Sequence, residues 1–131
     1  MNTLKNTPLF LAVLIVYNLV ALAGADVLRQ ELFRVGLLSG ENWALTTADL
    51  LLALSLIVLY VEVVKSTRST AASVLDHSFS ALVFTAFLIE FLAYRPAGTS
   101  TFFLMTLMSF LDVVAGFTIT IAAARRDIAH E

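Results

Sequence analysis

The chain has 131 residues, of which 60 % are hydrophobic and only 14 % charged, with a formal net charge of −2. A soluble domain is nearer half apolar and about a quarter charged, so the composition is that of an integral membrane protein, and it lacks the basic excess of a nucleic-acid binder. With no cysteine and two histidines, disulfides, thiol nucleophiles and thiolate metal sites are excluded, and a His-rich zinc site is not indicated.

The composition and four apolar runs predict an all-α fold: a single four-transmembrane-helix domain covering residues 1–131, with spans at about 8–28, 43–64, 74–94 and 101–124. Each holds the roughly 20 residues that a helix needs to cross a bilayer. Alternation is absent and four strands cannot close a barrel, so strand spans are excluded. The first run begins at Thr7-Pro8, a cap followed by a residue suited to the first helical turn. Lys5 and Ala21-Leu22-Ala23 give it the look of a signal peptide. It exceeds the usual apolar region of about 7–15 residues, however, and is read as an uncleaved span.

The connection from Arg29 to Asn42 sets Leu28, Leu32, Val35 and Leu38 against Arg29, Glu31 and Arg34, which predicts an amphipathic helical continuation lying at the membrane interface. Ser39-Gly40-Glu41-Asn42 ends it. The second span then runs from Trp43 to Val64. Lys65 to Ser73 is polar, and Arg95 to Ser100, with Pro96 and Gly98, is a tight turn. One side of the membrane carries Lys5, Lys65, Arg68, Arg125 and Arg126 and the other Arg29, Arg34 and Arg95. The positive-inside rule therefore predicts both termini in the cytoplasm, with Trp43 and Tyr94 in the outer aromatic belt.

Asp112 is the only charged residue among the 24 from Thr101 to Ala124, with 11 before it and 12 after. Its depth is about half a bilayer, where a carboxylate must be protonated, paired or facing a wet cavity. Asn18, at similar depth on helix one, is its expected partner. Ser109, Asp112, Gly116, Thr120 and Ala123 recur at spacings of three and four and form a small-residue packing stripe. Glu90 lies about one turn into helix three and Asp49 about two turns into helix two. With Asp112 and Asn18 they are the candidates for transport. At the inner end Glu62, Asp76 and His77 form a second polar group. Ser73 to Asp76 also reads as a capping box, and Glu62 can snorkel beside Lys65. No metal site, cofactor, nucleophile–base pair or phosphate loop is indicated, so no enzyme is expected.

Leu59-Tyr60-Val61-Glu62, together with the four-span layout, resembles the phosphate-starvation-inducible E family of small bacterial membrane proteins. The resemblance covers those four residues and the overall length, and it implies no mechanism. Two functions are compatible with the residues, the first being preferred and the second its alternative. One is a self-associating protein or accessory subunit of a bacterial inner-membrane complex, with the lipid bilayer and further copies or subunits as partners. The other is a proton or small-cation transporter or channel along an acid-lined path between subunits.

Overall fold

The computed structural model describes residues 7–68 and 73–129. Four α-helices follow one another: α1 (Phe10–Leu22), α2 (Thr47–Ser66), α3 (Ser73–Ala93) and α4 (Ser100–Ala129). The last three are long and apolar enough to cross a membrane. α1 is not: its 13 residues cover about 20 Å. The expected first span is therefore cut short. Hydropathy runs on to Leu28, but the backbone leaves the helix at Gly24, whose φ of 123° is one that few side chains tolerate. A 3-10 turn, Ala25–Arg29, follows.

The amphipathic interfacial helix is also corrected. Glu31–Gly36 (β1) and Asn42–Thr46 (β2) form an antiparallel hairpin with a bulge between Glu31 and Phe33. Its turn is closed by the Gly40 amide on the Leu37 carbonyl, with Gly40 at φ 91°. The spacing that suggests a helix overlaps a strand alternation, Phe33 and Val35 facing Leu45 and Trp43. The turn-forming Ser39-Gly40 lets the two strands meet. Trp43 to Thr46 therefore belongs to a strand, and α2 begins at Thr47, four residues later than expected.

That start is fixed by a capping box. Thr46 Oγ1 accepts the Asp49 N–H at 3.2 Å, and the Asp49 carboxylate accepts the Thr46 N–H at 3.1 Å. Asp49, expected about two turns inside the span, is thus the third residue of its helix and satisfies the helix's own first turn. α3 and α4 match their expected runs closely, with α4 extended to Ala129.

α4 is the central helix, packed along both α2 and α3, and α1 crosses α2 and α3 more lightly. α2 and α3 are antiparallel, as are α3 and α4. The bundle thus has a hairpin end, and a far end where α2 stops and α3 starts. Thr7 and the end of α4 both lie at the far end. The core is Phe10, Leu14, Tyr17, Val83, Phe87, Phe102 and Met105 with Leu51, while the outward faces of all four helices are lined with exposed Leu, Ile, Val and Phe.

Candidate functional site: a buried acid cluster

The stripe on α4 is the organising feature. Ser109, Asp112 and Gly116 are buried and Thr120 is half-buried, so this face is turned to the other helices. Small side chains let α3 approach closely: the His77 ring lies over Gly116, and a Cβ built there would sit 2.6 Å from Nδ1. His77 Nε2 is 2.8 Å from Thr120 Oγ1, and the ring also meets Phe117.

Asp112, 4 % exposed, accepts a hydrogen bond from Ser80, one turn further along α3. Ser80 is the eighth of 21 residues in α3, so Asp112 lies toward the far end. There it is within electrostatic reach of Glu62, Asp76 and Lys65. Glu62 is 2 % exposed and accepts the Leu9 N–H at 3.0 Å, which ties the start of α1 to the end of α2. Lys65 Nζ is 3.4 Å from Glu62 Oε1, 3.6 Å from Asp76 Oδ1 and 3.0 Å from the Thr7 carbonyl, to which it donates. Glu62 and Asp76, from two helices, therefore share one lysine ammonium, with the buried Asp112 of a third helix in its electrostatic reach.

The structure brings together Glu62, Asp76 and Asp112, which the sequence divides into an inner cluster and a central residue, while His77 turns to Gly116, Thr120 and Phe117 of α4. Asn18 does not join them. Its amide donates to Glu90 Oε1 at 3.2 Å and to the Leu14 carbonyl at 3.1 Å, so the expected Asn18–Asp112 pair is replaced by Asn18–Glu90. Asp76 faces Lys65. The Ser73 side chain expected to share a capping box with it lies outside the described residues, as do Lys5 and His130.

Sequence reasoning missed Tyr17, which is fully buried. Its hydroxyl donates to the Pro96 carbonyl at 3.0 Å and lies 2.7 Å from Thr99 Oγ1, which in turn accepts the Phe102 N–H at 3.1 Å and so caps α4. A tyrosine beside a predicted polar position, one residue from Asn18, was the available signal. Tyr17 and Asn18 serve two different contacts at the hairpin end.

Between the two polar groups lies an apolar layer. The order polar, apolar, polar is the same on three helices. It reads Leu9 (through its N–H), Phe10 with Leu14, then Tyr17 with Asn18 on α1. On α3 it reads Ser80, Val83 with Phe87, then Glu90. On α4 it reads Asp112 with Ser109, Met105 with Phe102, then Thr99. Phe87 meets Phe10 and Phe102 at ring-centroid distances of 6.3 and 5.4 Å. The hydroxyls of Ser55 and Thr106 turn back to carbonyls of their own helices, Leu51 and Phe102. Three buried oxygens among the described residues have no hydrogen-bond partner: Asp76 Oδ1, Ser109 Oγ and Glu90 Oε2. No three His, Asp or Glu side chains among the described residues converge closely enough to hold a metal ion.

Compared with protein-family models, curated proteins and solved structures, the chain matches none. The likeness at residues 59–62 stands without a matching family model.

Proposed function

We propose that this chain is a multi-pass bacterial inner-membrane protein that moves a proton or a small cation, with the far-end acid cluster as its binding site. The observation that carries the reading is the imbalance of charge: among the described residues, Glu62, Asp76 and Asp112 are buried around the single ammonium of Lys65. Carboxylates in a low-dielectric interior are costly unless neutralised, and one lysine cannot neutralise three. A proton or a small cation supplies what is missing. Asp112 is the residue best suited to receive it, because its hydrogen-bond partner is the Ser80 hydroxyl and the lysine is held by the other two acids.

The apolar layer of Phe10, Phe87, Phe102 and Met105 supports alternating exposure of the site over a standing pore. Lys65, Arg68, Arg125 and Arg126 lie at the far end and Arg29, Arg34 and Arg95 at the hairpin end, which favours a cytoplasmic far end and cytoplasmic termini. Placing transport first has a specific ground. Asp49 and Glu62 are 13 residues apart on one helix, and polar residues left outward-facing there would ask for a partner. Within this chain Glu62 joins the cluster and Asp49 caps its own helix.

The second reading is a self-associating or accessory subunit in which the same cluster locks the helices. The closed apolar layer favours it, since an accessory subunit needs no path. Proton and cation flux into liposomes, with oligomer mass measured on the same samples, separates the two. Transport predicts flux in the wild type that Asp112→Asn abolishes with the oligomer unchanged. Absence of flux in both proteins, with assembly weakened in the variant, overturns it in favour of the subunit.

A further inference from the structure

The hairpin contributes nothing to the acid cluster and leaves an apolar surface uncovered. Cross-strand pairing sets Phe33 opposite Leu45 and Val35 opposite Trp43, so these four side chains share one face. The Phe33 and Trp43 rings meet edge to face at 6.1 Å on that face. Arg34, Ala44, Gly36 and Asn42 occupy the other face, where Arg34 pairs with Glu31 at 2.8 Å. Phe33, Val35 and Trp43 are each close to half exposed, and Leu38 at the tip is fully exposed.

We infer that this face rests on the lipid bilayer itself, in the headgroup layer, as a β-hairpin anchor beside α2. The inference rests on the membrane reading of the long helices. Three observations select lipid as the occupant. The first is area: two strands of five or six residues, at about 3.3 Å per residue and about 5 Å per strand, present on the order of 200 Å². A stable protein interface needs about 800 Å² per partner, so a second copy seated on this face would be held too weakly.

The second is continuity. β2 passes into α2 with no linker, Thr46 being both the last strand residue and the helix cap. The apolar face therefore continues into the exposed Leu50, Leu54 and Ile57 of a helix able to cross the membrane. The third is depth. The outer edges of a two-stranded hairpin carry unpaired backbone groups that cannot enter hydrocarbon. Tryptophan and arginine on opposite faces suit the layer where one side is apolar and the other wet.

Trp43 is the only tryptophan in the chain, so its fluorescence reports this face alone. The full-length protein is reconstituted into phosphatidylcholine–phosphatidylglycerol vesicles, and flotation with alkaline extraction first establishes that it is embedded. Emission is then recorded with phosphatidylcholine brominated at shallow or deep acyl positions. The expected result is emission shifted to the blue of water-exposed tryptophan and quenched more by the shallow label than by the deep one. Val35→Glu, which puts a charge on that exposed face beside Trp43, should lose most of that quenching.

Water-like emission in embedded protein overturns the hairpin anchor and leaves the membrane reading standing. Blue-shifted emission that ignores both labels and reverts when the protein is diluted into excess lipid overturns it in favour of a second copy. Failure of the protein to float or to resist extraction overturns the membrane reading and the anchor with it.

Discussion

At the hairpin end, Tyr17, Thr99 and Pro96 satisfy one another with neutral hydrogen bonds. At the far end, Glu62, Asp76 and Asp112 gather around one ammonium. Both groups are built on buried side chains, and both join α4 to other helices. The difference lies in charge. A neutral network that closes on itself can only hold helices in register. A cluster with more negative than positive groups holds the helices and also remains able to bind something. Glu90 stands between the cases: Asn18 serves one of its oxygens, and no described residue serves the other.

The comparison is broken most severely by removing the far-end cation. Lys65→Met leaves Glu62 and Asp76 buried without a counter-charge. Breaking a buried ion pair by removing one partner costs about 3–5 kcal/mol, which sets the scale of the expected loss. Unfolding in mixed micelles measures it. A second substitution, Glu62→Gln, should restore part of the loss, and a double variant no better than the single would show that the lysine acts alone. Gly116→Ala comes next. The added methyl would overlap the His77 ring, and displacing a packed side chain costs about 1–3 kcal/mol. Loss of the His77–Thr120 bond should be visible in the ring's NMR signals.

At the hairpin end the effects are smaller and confined to stability. Tyr17→Phe removes the hydroxyl shared by the Pro96 carbonyl and Thr99 Oγ1 and should cost about 1 kcal/mol with no change in flux. Thr46→Ala removes one half of the capping box and should cost about 1 kcal/mol, read as a lowered midpoint in the same unfolding experiment. A flux defect in Tyr17→Phe would show that the neutral end takes part in transport, and the distinction between the ends would then fail.

Much of this arrangement is legible in the chain. The 3.6-residue period places Ser109, Asp112, Gly116 and Thr120 on one face whatever surrounds them, and the structure turns that face inward. Glu62 and Asp76 meet at Lys65 because they lie a short way along the chain on either side of the connection between α2 and α3. The failures have a common physical origin in pairing between distant residues. Between Glu31 and Val35 helical and strand periods both fit, and only the return strand decides between them. Hydropathy puts Asn18 at the depth of Asp112, but α1 starts at the far end, held by the Leu9–Glu62 bond, and carries Asn18 past the apolar layer to Glu90 at the hairpin end. Hydropathy also carries no mark of where a backbone must bend, so the end of α1 at Gly24 is invisible in it.

The linkerless junction between β2 and α2 has a mechanical consequence. Thr46 and Asp49 hold each other's backbone N–H groups, so the hairpin and the helix share one stiff joint and turn together as a lever. α2 is 20 residues long, about 30 Å, and a tilt of about 5° at the joint swings its other end sideways by about 2.5 Å. That end carries Glu62 and Lys65 together, and Lys65 reaches across to Asp76 on α3 at 3.6 Å. A small rocking of the hairpin is thus amplified along α2 into a displacement large enough to part the lysine from Asp76.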